Sequence, residues 1–126
     1  MSFNVNIIQR LEGIYTVMPE GRLDSESYHV LEEKITPLFV SSTKVLVLDL
    51  RRLDYISSAG IRVFIHAKKA LKKINAEFIM ANLKPQIKKV FEIINALPDI
   101  PIFKNIEEVD DYLDIIQNKE AQKQKE

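Results

Sequence analysis

Apolar and polar residues alternate on both sides of Glu12-Gly13 in FNVNIIQRLEGIYTVMPEG, the period-two pattern of two short strands joined by a tight turn. From Asp24 the period lengthens, and Tyr28, Leu31, Ile35 and Leu38 define one face of an amphipathic helix. Asp24, Ser25 and Ser27 each suit its N-cap, and Pro37 makes its last turn irregular. After the loop SST at 41–43, Val45, Leu46, Val47, Leu48 and Leu50 form an apolar run suited to a strand buried on both faces. A second helix over 61–76 follows DYISSAG, with Ile61, Phe64, Ile65, Leu71 and Ile74 inward and Lys69, Lys72 and Lys73 outward.

EFIMAN reads as another buried strand. Pro85 suits the first turn of a third helix over 85–97, with Ile87, Val90, Phe91 and Ile94 on one face. Pro98 and Pro101 bracket IPIF, which has room only for an edge strand or a brief parallel one. IEEVDDYLDII repeats the helical period, whereas QNKEAQKQKE, with no apolar residue except Ala121, reads as a frayed or disordered tail. The order β-β-α-β-α-β-α-β-α predicts an α/β fold: a mixed, mostly parallel sheet with right-handed crossovers and helices packed on it.

A chain of 126 residues, 46% apolar and 29% charged, suits one folded unit with one core. Lys plus Arg and Asp plus Glu both number 18, so no bulk basic surface for direct nucleic-acid binding is expected. The absence of cysteine removes disulfide and thiol chemistry and is compatible with a reducing compartment. MSFNVNIIQRLEG lacks the features of a signal peptide, and no segment approaches the roughly 18 apolar residues of a bilayer span. A cytoplasmic protein without membrane insertion is the expectation.

Few residues are arranged for catalysis. Gly13, Gly21 and Gly60 do not have phosphate-loop spacing, and His29 and His66, without cysteine, offer no metal-ligand spacing. Ser57 or Ser58 sits where strand hands over to helix, but G-x-S-x-G is absent and His66 lies two turns beyond Ser58. Asp24, Asp49 and Asp54 could gather at strand ends like the magnesium-binding acids of phosphotransfer receivers. MPEGRLD, however, places Glu20 and Asp24 in a loop before a helix instead of pairing acids after the first strand. No enzymatic activity and no cofactor are expected of this chain.

DYISSAGI concentrates the remaining chemistry. A helix beginning at Ser58 or Ala59 leaves its first amides unpaired, and a serine hydroxyl accepting from them contributes about 1 kcal/mol. The same position suits a phosphorylation acceptor, because free amides and the helix dipole favour an anion. On a docking surface, roughly two added negative charges would then repel or desolvate a partner.

Three segments together resemble the single-domain STAS proteins of the bacterial anti-sigma-factor antagonist family. GRLDSES resembles its G-x-[LI]-D segment, VLVLDLRRLDYISSAGI its buried strand and D-S-[ST]-G-[LI] motif, and NLKPQIKKVFEI its third-helix opening. The resemblance spans roughly residues 5 to 115. It implies a STAS domain over residues 1–116, followed by the polar tail at 117–126, with helices largely on one side of the sheet.

It also implies a phosphorylation-switched binding module that sequesters an anti-sigma factor with serine kinase activity. Ser58 takes the phosphoacceptor position, with Ser57 as second choice, and Asp24, Ser57, Ala59, Gly60, Ile61 and Arg62 take partner-binding positions. A PP2C-type phosphatase would reset the switch, and ATP and magnesium would belong to the kinase. Ser57 replaces the motif's Asp, Ala59 its second hydroxyl residue, and Arg62 a residue commonly small. These departures favour the alternative, a constitutive STAS subunit of a transport complex or signalling scaffold without a phosphoswitch. A monomer or weak dimer is expected.

Overall fold

Strands β1 (Asn4–Leu11) and β2 (Ile14–Leu23) form the antiparallel hairpin, and β3 (Val45–Asp49), β5 (Glu77–Ala81) and β6 (Ile102–Phe103) continue the sheet in parallel. Its order is β1-β2-β3-β5-β6, with a short strand β4 (Leu53–Ile56) pairing with the far end of β2. The computed structural model describes residues 3–93 and 99–125, with side chains described as far as residue 115 in the final helix. Gly13 turns the hairpin at φ +79°, where a Cβ would also lie 2.6 Å from the Ser42 carbonyl oxygen.

Residues of β3 and β5 alternate between two buried surfaces, as the unbroken apolar run predicts. Leu46, Leu48, Phe78 and Met80 join the larger core with helices α1 (Tyr28–Ile35), α2 (Ser58–Lys73) and α3 (Pro85–Ile93). There Phe64 of α2 stacks on Phe91 of α3 with ring centroids 5.7 Å apart. Val45, Val47, Ile79 and Ala81 face the other way and are covered by Val109 and Leu113 of helix α4 (Ile106–Lys125). Tyr112 fastens this layer through a 2.7 Å hydrogen bond donated to Glu77. Burial, reinforced by that bond, raises the phenol's pKa to about 12.

The mixed, mostly parallel sheet carries one strand more than the predicted order. The predicted order gives DYI no strand of its own, but Leu53 and Ile56 turn into the core while β4 pairs with Gly21, Arg22 and Leu23. Glu20 likewise lies in β2, opposite Asn4, and not in a loop. Helix α1 starts at Tyr28, because residues 24–27 form a turn of their own. A 3₁₀ turn at Thr36–Leu38 accommodates Pro37.

IPIF becomes the parallel edge strand β6 at Ile102–Phe103. The expected end of α3, including Ile94, and Pro98 lie outside the described residues. Helix α4 extends to Lys125, through residues read as a polar tail but rich in the helix formers Gln, Lys and Glu. Among the described residues, no helix is long and apolar enough to cross a membrane.

Candidate functional site

The segment DYISSAG is assembled by pairing between β2 and β4. Gly21, at φ +106°, marks a register shift in the ladder, after which Arg22 meets Tyr55 and Leu23 meets Ile56. The Ser57 amide then donates to the Leu23 carbonyl at 2.8 Å, leaving Asp24 as the next residue along β2's exit. Two sequence-distant segments are thereby brought to one edge of the domain. The Arg22 guanidinium lies 4.0 Å from the Tyr55 ring centroid, and Asp54 forms an ion pair with Lys84.

Ser58 is the first residue of α2, and its side chain is exposed. Ser57 occupies the N-cap position with extended backbone, φ −98° and ψ 176°, and its carbonyl accepts from the Ile61 amide at 3.0 Å. Its side chain forms no capping hydrogen bond, and the buried Oγ has no hydrogen-bond partner. The expected serine-hydroxyl cap is therefore not supplied by Ser57. The start of α2 also has no acidic residue in its first turn to balance the helix dipole.

Of the other predicted contacts, Ala59 is half-buried and Arg62 is exposed one turn beyond Ser58. Gly60 and Ile61 point inward. Ile61 is only 4% exposed and belongs to the main core, so it anchors the helix and is not a surface contact of the free protein. Gly60 admits close approach: a Cβ there would lie 2.6 Å from Leu23 Cγ and 3.0 Å from Ile56 Cγ1. Its small size lets the helix start sit directly on the β2–β4 pair.

Asp24 organises the adjoining turn. Its Oδ1 accepts from the Glu26 amide at 3.0 Å and the Ser27 amide at 3.1 Å, while its own amide donates to Ser27 Oγ. The Glu26 amide bond is the leading cause that holds the Asp24 carboxyl below its ordinary pKa, assisted by Ser27 and nearby Arg22. Ser27 closes the turn by donating its hydroxyl to the Arg22 carbonyl at 2.6 Å. Asp24, Arg22, Ser27, His29 and Asp54 line a surface hollow of about 470 Å³ beside this turn.

The three acids considered as a magnesium cluster do not converge. Asp49 is buried and satisfied by the Arg51 amide, the Arg51 guanidinium and the Asn82 amide group. Asp54 pairs with Lys84, and Asp24 is committed to its turn. Among the described residues, no three His, Asp or Glu side chains are grouped to hold a metal ion. His29 and His66 are exposed.

Sequence reasoning missed Arg22, Tyr55 and the Asp54–Lys84 pair, which belong to the β2–β4 pairing that leads into the serine-bearing helix. Their common signal is the exposed pair Asp54-Tyr55 between inward-facing Leu53 and Ile56, a short strand too brief to announce itself.

These features define a small α/β domain that presents a serine and charged side chains on an open surface. The chain belongs to the STAS-domain family, whose model matches residues 6–109. It is 34% identical over 95 residues to BtrV of Bordetella bronchiseptica, named as an anti-sigma factor antagonist, covering 75% of this chain and 82% of that protein. Identity to the anti-sigma-B factor antagonist of Listeria monocytogenes is 28% over 107 residues, covering 85% and 93% respectively.

Among solved structures, the Bacillus cell fate determinant SpoIIAA in its phosphorylated form superposes with a TM-score of 0.70. It is 17% identical, with 86% of this chain and 99% of that one covered. At that identity the likeness concerns the fold.

Proposed function

We propose that this protein is an anti-sigma factor antagonist: a binding module that docks on an anti-sigma factor with serine kinase activity and releases the sigma factor held there. The observation that carries the reading is the exposed Ser58 hydroxyl at the start of α2, set beside the Asp24 turn. The similarity to named antagonists, over more than four fifths of their length, supports the same function. A cytoplasmic setting belongs to the same reading.

In this reading the unmodified surface binds, and phosphorylation of Ser58 Oγ reverses binding. The kinase supplies ATP and magnesium. The serine Oγ–phosphorus bond forms as the bond to the β-phosphate breaks, and the hydroxyl proton leaves to a base of the kinase. The added charge lies where free amides tolerate it, so the host fold persists while the interface is disrupted. A PP2C-type phosphatase restores the hydroxyl. Ser57, with its Oγ buried, is a poor acceptor beside Ser58.

The test is intact-mass and phosphosite analysis after incubation with ATP and a candidate partner, an anti-sigma factor of the histidine-kinase-like ATPase type. One phosphate on Ser58, absent from Ser58→Ala and accompanied by loss of kinase binding, is the expected result. Persistent binding with neither serine modified would instead establish a constitutive interaction domain.

A further inference from the structure

Helix α2 carries Arg62, Lys68, Lys69, Lys72 and Lys73 and no Asp or Glu in its sixteen residues. This is local segregation in a chain whose formal net charge is zero. At about 100° per residue, Ser58, Arg62, Lys69 and Lys73 fall within roughly 60° of one another, with His66 beside them. All five are exposed, and they line up along the face opposite the buried Gly60, Val63, Phe64, Ala67 and Leu71. Among the described residues, only Lys68 of the five helix cations has a carboxylate partner, Asp99 at 3.5 Å.

Helix stability explains part of this pattern. Lys72 and Lys73 complement the negative end of the dipole, but Arg62 lies near the positive end, where a cation is unfavourable. Nor does any acid at i±4 on the helix offset the row. The phosphoacceptor therefore stands at the head of a cationic row that extends about 22 Å along the helix.

We infer that this outer face of α2 extends the docking surface headed by Ser58 and receives an acidic surface of the protein partner. The inference rests on the function proposed above and adds the chemistry and extent of the footprint. Charge complementarity favours it, as does continuity with Ser58. A phosphate on Ser58 would meet the acidic surface at one end of the row and engage Arg62, four residues away, at the same time. One modification would thus add repulsion and withdraw a cation from the interface.

The test measures binding of the same candidate partner kinase to wild type, Lys69→Glu/Lys73→Glu, the milder Lys69→Gln/Lys73→Gln, and a control on α3, Lys88→Glu/Lys89→Glu, over a salt series. The expected result is a Kd raised by about tenfold or more in the reversal variant, less in the glutamine variant and below about twofold in the control. The reversal variant should also have a shallower salt dependence than wild type. Kinase-catalysed phosphorylation of Ser58 at saturating kinase reports whether its serine region remains folded.

Wild-type affinity in the reversal variant, with Ser58→Glu still abolishing binding, would overturn the inference and leave the proposed function intact. Failure of wild type to bind the kinase would overturn both. Tighter binding of anionic phosphatidylglycerol vesicles or duplex DNA than of the kinase, lost in the reversal variant, would assign the face to another polyanion and also overturn the inference.

Discussion

Gly60 and Leu23 are in such close apposition that a Cβ on Gly60 would stand 2.6 Å from Leu23 Cγ and 2.9 Å from Leu23 Cδ2. Leu23 is fully buried at the end of β2, and Gly60 lies in the first turn of α2, so this contact sets how closely the serine-bearing helix approaches the sheet. Gly60→Ala gains about 1 kcal/mol of helix propensity but forces a packed leucine or the helix to move, which costs about 1–3 kcal/mol. A net destabilisation of about 1 kcal/mol is expected. Urea unfolding checks it, and an unchanged or higher midpoint would show that the helix shifts freely.

Ser57 provides the complementary case. A conventional N-cap serine contributes about 1 kcal/mol, but the Ser57 Oγ is buried without a hydrogen-bond partner. Ser57→Ala should therefore change stability by less than about 0.5 kcal/mol, because no side-chain hydrogen bond is lost and a buried polar atom is removed. Thermal or chemical unfolding decides this. A loss of 1 kcal/mol or more would mean that the hydroxyl caps α2 in solution.

The contrast between these residues shows what the sequence made legible. Periodicity identified α2, its inward Ile61 and Phe64, and the doubly buried strands β3 and β5, because each is a local pattern reinforced by burial. It could not reveal β4, since Leu53, Tyr55 and Ile56 become strand residues through pairing with Gly21, Arg22 and Leu23 some thirty positions away. The same non-local pairing separates surface from core within DYISSAGI: Ser58 faces out, whereas Gly60 and Ile61 face in. The motif identified the right neighbourhood but did not distinguish contact residues from those that hold the contacts in place. Asp24 illustrates the same distinction, since its carboxylate spends its hydrogen bonds on residues 26 and 27.

That use of Asp24 gives a pH dependence. Its folded pKa is depressed, first by the Glu26 amide bond, so the charged carboxylate favours the native turn. The contribution is fully present above the unfolded value, near 3.8, and is lost as pH falls through the lower folded value. Asp24→Asn retains an acceptor oxygen but not the charge. It should be slightly less stable than wild type at neutral pH, and that gap should close below pH 3.8. Denaturant unfolding across acidic pH measures the gap, and a gap that widens towards low pH would refute the assignment.

Phosphorylation of Ser58 should strengthen the free protein even as it disrupts docking. The phosphate would lie in the first turn of α2, which has no acidic residue to balance the dipole, and Arg62 stands four residues downstream. Both placements favour an anion, and the acid-before-base order at that spacing is the better orientation for a helical ion pair. Together they should stabilise the modified domain by about 1 kcal/mol, raising Tm by about 3 °C at low ionic strength. Arg62→Ala should remove part of that increment from the phosphorylated form and change the unmodified form little. Calorimetry on the four species, with high salt as a further arm, separates the contributions. A lower Tm on phosphorylation would mean that the switch acts by loosening α2, in which case loss of partner binding would follow from a damaged surface and not from charge placed on an intact one.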